Sequence, residues 1–220
     1  EQSIGSYSTY QSSLGVNLKK SKLYSGTRVF RQSSKNNFQY YNNALLPIGK
    51  EMTQVNADFV NLGFTQQFSY QLNSQQSLTL ITWNQWNNRD IPTIMTNVEK
   101  GGNQEEWQDD FSSKNILKWE VHNTSSNWKV VGAYFFDNLS YYLQTSDSLN
   151  NPISKIDSQN KIESYSLKGN MSSELTNGLI VKTGIKVIHE IVNSNNYLDI
   201  KKRSLLNVFA SVKKKLSQKL

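Results

Sequence analysis

The residues best suited to chemistry form one acidic group, Glu105-Glu106 and Asp109-Asp110, set around Trp107. Carboxylate oxygens at this density suit Ca²⁺, a hard cation that takes about six to eight oxygen ligands. No EF-hand spacing accompanies them, and a solvated acidic loop is the plainer reading of the same residues. A second group, Trp86, Arg89 and Asp90, stands just before Ile91-Pro92. There Arg89 and Asp90 could contact a ligand with Trp86 as a stacking surface. They could equally form a local ion pair or hydrogen bond that fixes the exit of the chain into a loop, which is the expectation preferred for Arg89. Catalysis finds little footing. His122 and His189 are the only imidazoles and sit in no ligand spacing, and the chain has no cysteine. There is no Gly-x-Ser-x-Gly elbow and no phosphate-cradling glycine loop. Asp109 and Asp110 are neighbours at a strand start, so they point to opposite faces and suit acid–base partnership poorly.

The elements that must position these residues are strands. From Leu62 the even positions read Leu62, Phe64, Gln66, Phe68, Tyr70 and Leu72, and the odd positions read Gly63, Thr65, Gln67, Ser69 and Gln71. One face is apolar and aromatic and the other small and polar, the period-2 signature of a strand with two environments. Its length fits the ~9–11 residues of a tilted membrane-spanning strand. Leu179, Val181, Thr183, Ile185 and Val187 repeat the pattern against Ile180, Lys182, Gly184 and Lys186. So do Tyr165, Leu167, Gly169 and Met171 against Ser166, Lys168 and Asn170, and, less cleanly, Leu206, Val208, Ala210 and Val212. From Trp128 to Phe136 both parities carry bulk, and the faces stay unassigned there. No segment keeps the i, i+3, i+4 stripe of a helix.

Composition agrees with this and narrows it. No apolar run approaches the ~20 residues of a membrane helix; the densest, Val130-Val131-Gly132-Ala133-Tyr134-Phe135-Phe136, is far shorter. A mean hydropathy of −0.60 excludes no barrel, since only alternate strand residues meet lipid. The opening Glu1-Gln2-Ser3-Ile4-Gly5 is not a signal peptide. A net charge of +7 with clusters at Lys201-Lys202-Arg203 and Lys213-Lys214-Lys215 comes without any nucleic-acid-binding motif, so solvated strand ends are expected and no nucleic acid.

Short polar breaks at Lys20-Ser21-Lys22, Asn73-Ser74-Gln75, Thr124-Ser125-Ser126-Asn127 and Thr176-Asn177-Gly178 recur roughly every fifty residues. Longer irregular stretches fall between them, at 33–51, 88–106, 145–157 and 193–201. Strict alternation of short and long connections is the layout of an outer-membrane barrel, with turns on one rim and loops on the other. Aromatics sit where interface girdles would lie: Phe68, Tyr70, Trp119 and Trp128 near the turns, and Trp83, Trp86, Trp107, Tyr141 and Tyr142 near the loops. About nine strands are expected, near 4–19, 22–33, 52–72, 76–88, 108–123, 127–144, 157–175, 178–192 and 202–217. Bacterial single-chain barrels have even counts, and the last residues, Ser217-Gln218-Lys219-Leu220, do not close an aromatic-terminated strand. The expectation is one partial all-β, antiparallel up-and-down domain over residues 1–220 that continues beyond both ends.

The run Trp83-Asn84-Gln85-Trp86-Asn87-Asn88-Arg89-Asp90-Ile91-Pro92-Thr93-Ile94-Met95 resembles a stretch of Bacteroidetes-type TonB-dependent receptors related to the cobalamin receptor. Gln108, Asp110, Lys114 and Trp119 look like that group's downstream spacing, although its basic residue is usually Arg. Gly5-Ser6-Tyr7-Ser8-Thr9-Tyr10 and Leu14-Gly15-Val16 are similar to its early barrel strands. Nothing resembles a TonB box, the glycine-rich plug or the closing strands. The resemblance implies an arc of a barrel of about 22 strands, in a transporter importing cobalamin, a ferric siderophore or another scarce nutrient. Its implied partners are the TonB complex through a plug, a small nutrient ligand, outer-membrane lipid and a surface lipoprotein. It places Trp86, Arg89 and Asp90 at the extracellular mouth. It also makes calcium at Glu105, Glu106, Asp109 and Asp110 reasonable, because related receptors order their loops with it. Two other readings stay open: a small outer-membrane barrel with a structural or adhesive role, and a soluble β-sandwich or lipocalin-like binding module. The soluble reading requires Leu62, Phe64, Phe68 and Tyr70 to point into a core.

Overall fold

Alternation along each segment becomes an extended chain whose backbone groups pair with the next, and the segments lie down in sequence order. The computed structural model describes residues 1–43, 48–92, 104–147, 149, 151–175 and 178–214. Its strands are β1 (Gln2–Gly5), β2 (Thr9–Lys20), β3 (Leu23–Ser34), β4 (Gln39–Asn42), β5 (Lys50–Thr53), β6 (Phe59–Gln71), β7 (Gln76–Asp90), β8 (Gln104–His122), β9 (Ser126–Ser146), β10 (Pro152–Leu175), β11 (Leu179–Ser194) and β12 (Lys201–Lys214). Ten of them form one antiparallel meander in the order β1-β2-β3-β6-β7-β8-β9-β10-β11-β12, and β4 and β5 make a separate hairpin. The architecture is all-β and up-and-down.

Register joins the local patterns into two faces. One row runs Leu18, Ser25, Phe68, Leu80, Leu117, Gly132, Leu167, Val187, Leu206 across nine strands. The next row, on the opposite face, runs Lys19, Tyr24, Ser69, Thr79, Lys118, Val131, Lys168, Lys186, Asn207. The sheet thus has one apolar face and one polar face. The segment after Trp128 is now assigned: Trp128, Val130, Tyr134 and Phe136 share the apolar face with Leu167, whereas Val131, Ala133 and Phe135 share the polar face with Lys168.

Among the described residues nothing covers the apolar face. Val121, 8% exposed, is the only buried apolar side chain among the described residues. Leu62, Phe68 and Tyr70 stand 44%, 44% and 46% exposed, and Leu167 and Val208 reach 58% and 71%. The core that a soluble sandwich requires beneath these side chains is absent among the described residues. On the polar face two aromatic rings lie flat on glycines. A Cβ at Gly63 would come within 2.0 Å of the Phe30 ring, and one at Gly184 within 2.2 Å of Phe209. Glycine in a strand interior marks such close approaches.

The expected nine strands are corrected to ten in the main sheet plus the hairpin. The segment expected at 4–19 breaks into β1 and β2 at Tyr7 and Ser8, whose φ values of 57° and 56° make a tight turn. The segment expected at 52–72 loses its start to the hairpin, because Asn56 (φ 53°) turns the chain before β6. The expected loop at 145–157 is mostly strand, leaving only 147–151 between β9 and β10. Polar residues there pair as readily as apolar ones, and Asp147 closes the turn by accepting the N–H groups of Leu149 and Asn151 at 2.9 and 2.8 Å. The connection between β11 and β12 likewise shrinks to 195–200. The connections at 147–151 and 195–200 are therefore shorter than expected, yet each still exceeds the turns neighbouring it, so short and long connections alternate from β2 onward. Thr93-Ile94-Met95, most of the 88–106 loop, the turn residues Thr176-Asn177 and the end from Lys215 lie outside the described residues.

Candidate functional site

Three turns, at 21–22, 72–75 and 123–125, share one end of the sheet with the close of β10 and the start of β11, and the longer connections share the other. At this loop end the polar face carries amides and carboxylates instead of lysines. β7 and β8 bring Arg89 opposite Gln108 and Asn87 opposite Asp110. The Arg89 guanidinium donates to Gln108 Oε1, and Gln108 Nε2 donates in turn to Asp110 at 2.8 and 3.0 Å.

A cleft of about 770 Å³ opens here between the polar face of β6 and β7 and the hairpin segment, lined by Asn36, Phe38, Phe59, Asn61, Asn87, Arg89 and Asp110 among others. Short-range bonds set the segment over it. Ser34 Oγ donates to the Tyr7 carbonyl (3.1 Å), Asn36 Nδ2 donates to the Ala57 carbonyl (2.9 Å), and Phe38 meets Tyr7 edge-on at 5.8 Å. Asn61 Oδ1 is buried and has no hydrogen-bond partner. An orphaned buried acceptor costs about 1–3 kcal/mol.

The residues singled out by sequence are divided. Arg89 and Asp90 both line the cleft. They form no ion pair; the Asp90 N–H donates to the Asp58 carbonyl at 2.9 Å, and Arg89 is held by Gln108. Trp86 lies on the apolar face, its ring 4.9 Å from Phe111. The acidic group is split two and two by strand alternation. Glu105 and Asp109 share one face of β8 and Glu106 and Asp110 the other, with Asp109 bonded by Asn88. No single ion reaches all four while β8 stays paired, and among the described residues no three His, Asp or Glu side chains are grouped to hold a metal. Glu106 is engaged, accepting from the Tyr141 hydroxyl (2.6 Å) and Gln104 Nε2 (2.7 Å). The bond to Glu106 pushes the Tyr141 phenol up to about 12, so it stays a neutral donor. Sequence reasoning passed over Asn61, Asp137 and Tyr197. Nothing local marks them, because each becomes a neighbour of the site only through register or loop folding.

The apolar face carries aromatic clusters, Trp86 against Phe111 (4.9 Å) and Phe111 against Phe136 (6.0 Å) toward the loop end and Tyr134 against Tyr165 (5.0 Å) level with Gln66. Tyr70, Trp119 and Trp128 stand exposed on the same face near the turn end.

With this geometry in hand, solved structures of uptake proteins share the sheet. The ferric yersiniabactin uptake receptor FyuA of Yersinia pestis superposes with a TM-score of 0.62 at 10% identity, over 93% of this chain and 34% of that one. The ferric preacinetobactin receptor BauA of Acinetobacter baumannii gives 0.57 at 10% identity, over 95% of this chain and 38% of that one. The ferric citrate transporter FecA in its unliganded form gives 0.50 at 9% identity, over 99% and 38%. The likeness is one of fold. This chain spans little more than a third of each of these proteins. No family model and no curated protein matches its sequence.

Proposed function

We propose that this chain is part of the wall of a bacterial outer-membrane transporter of the TonB-dependent class, with its apolar face toward lipid and its polar face lining the interior. The observation that carries the reading is the apolar row that crosses nine strands with none of the described residues over it. In water that surface would be far larger than a monomer tolerates; in a bilayer it is the stable arrangement. From Leu62 to Tyr70 the apolar stretch of β6 is eight steps long, about 27 Å along the strand, close to the ~25 Å outer band of such barrels. The exposed aromatics at both ends of this band support the same boundary. Additional strands would pair with β12, exposed along all fourteen residues, and complete the barrel, and a plug would couple it to TonB. The imported nutrient belongs on this reading to the cobalamin or ferric-siderophore class, with Arg89 and Asp90 at the ligand-facing cleft and Trp86 as an anchor at the lipid boundary.

Tryptophan quenching by brominated lipid tests the face assignment. In the protein refolded into bilayers, Trp119 and Trp128 are expected to be quenched and Trp83, on the polar face beneath Lys114 (5.3 Å), to be spared. Single-tryptophan variants showing Trp83 quenched as strongly as Trp119 would reverse the assignment. Growth of a deletion strain on limiting cobalamin or ferric chelates addresses the nutrient.

A further inference from the structure

A second cleft, of about 600 Å³, adjoins the first on the same polar face and shares Asp110 with it. Its roof is the loop 195–200, which is bound down onto β10. Asn195 Oδ1 accepts the Gln159 N–H (2.8 Å), Asn195 Nδ2 donates to the Asp157 carbonyl (2.6 Å), and Asn196 Nδ2 donates to Ser158 Oγ (2.6 Å). These bonds set Tyr197 into the lining, opposite Leu139, Ile162 and Val192.

Among the described residues, Asp110 and Asp137 are the only charged ones of this lining. Asp110 pairs in register with Leu139, which puts Asp137 diagonally beside it on the same face, about 7–8 Å away between backbones. Neither takes part in an ion pair; Asp110 is bonded by the Gln108 amide and Asp137 by the Ser112 hydroxyl. Two cations stand diagonally beside them in the ladder, Arg89 next to Asp110 and Lys114 next to Asp137, without closing an ion pair to either. Arg89 donates to Gln108, Lys114 lies over the Trp83 ring at 5.3 Å, and Arg203 pairs with Glu190. Lys201, one strand further out opposite Val192, does not reach the lining. The cleft therefore presents two carboxylates outside any ion pair, a tyrosine ring and an aliphatic floor.

We infer that this cleft binds an organic cation, an ammonium or guanidinium group carried on an apolar body. The carboxylates supply charge, the Tyr197 ring adds cation–π attraction, and Leu139, Ile162 and Val192 take the body. A metal ion fits poorly, since a hard dication needs about six or more oxygens and this wall is largely aliphatic. The inference deepens the transport reading, on which it rests in taking the polar face as an interior.

The test is calorimetric titration of the full chain, refolded in uncharged detergent, with benzyltrimethylammonium and with benzenesulfonate. Saturable binding of the cation and none of the anion is expected. Asp110→Asn with Asp137→Asn should weaken the cation about tenfold or more, and Tyr197→Leu about threefold, whereas Tyr197→Phe should retain affinity. Tyr197 is on an exposed loop, so its variants keep the test valid if the double variant does not refold. Equal binding of benzenesulfonate, or cation affinity unchanged by both the double variant and Tyr197→Leu, overturns the inference. Lipid quenching scored on the same protein separates the two claims: Trp119 quenched without cation binding removes the inference alone, and cation binding without quenching removes the membrane reading.

Discussion

The turn-end and loop-end halves of the sheet share one hydrogen-bond ladder and differ in what they do with it. In the turn-end half the faces are opposites, Leu80, Leu117 and Leu167 on one side and Lys118, Lys168 and Lys186 on the other. In the loop-end half polar side chains enter both faces and bond laterally, as Arg89 to Gln108, Asn88 to Asp109 and Tyr141 to Glu106. Charge changes sign between them on the polar face. The loop end holds Glu106, Asp110 and Asp137; the turn end sets Lys168 directly opposite Lys186, with no ion pair to either. Alternation decides the face, and position along the strand decides the charge. On the transport reading an organic cation entering from the loop end would meet attraction first and repulsion further in, which would hold it at Asp110 and Asp137.

The largest test of the contrast is a charge placed on one face at two heights. Gln159 and Leu167 share the same face of β10. Leu167→Arg, inside the apolar band, should cost clearly more stability in bilayers than Gln159→Arg, which lies beyond the band and should cost about 0–1 kcal/mol. Chemical denaturation in lipid measures both, and equal costs would erase the distinction between the halves. A smaller effect is expected on the polar face. Lys168→Glu turns a like-charged cross-strand pair into an opposite-charged one and should raise stability by about 0.2–1 kcal/mol at low salt; a loss would mean that an unseen anion already neutralises these lysines.

The smallest effect is spectroscopic and belongs to the loop end. Glu106 holds the Tyr141 phenol up to about 12, above the usual 10. A raised folded value means that the stabilisation is complete below pH 10 and is lost as pH climbs through 12. Tyr141→Phe should remove one late-titrating phenol from the absorbance titration and reduce the loss of stability in that window. An unchanged late phase would show that Tyr141 and Glu106 are apart in solution.

Much of this was legible in the chain, but unevenly. Leu62 to Leu72 declare their two faces unaided, since every second residue is apolar or aromatic apart from Gln66, and Gln66 is satisfied on that face by Ser25 and Thr27. The stretch from Trp128 to Phe136 does not, because Val131, Ala133 and Phe135 put bulk on the polar face as well. The residues at 145–157 read as a loop on polarity, yet the ladder extends through them because backbone pairing is indifferent to side-chain polarity. Of the candidate site, Arg89 and Asp90 could be singled out from their place before Ile91-Pro92, whereas Trp86, grouped with them by proximity in sequence, stands on the face opposite Arg89.

The sequence by itself determined the strands, the two faces of most of them and the all-β, up-and-down class. These follow from a period of two, a property of neighbours along one chain. Only the tertiary structure decided that Asp110 lies beside Asp137, that Tyr197 lines the cleft they share, that the four clustered carboxylates separate, and that lysine meets lysine at the turn end. Each of these depends on register between strands, and a slip of one residue would exchange every partner and every face.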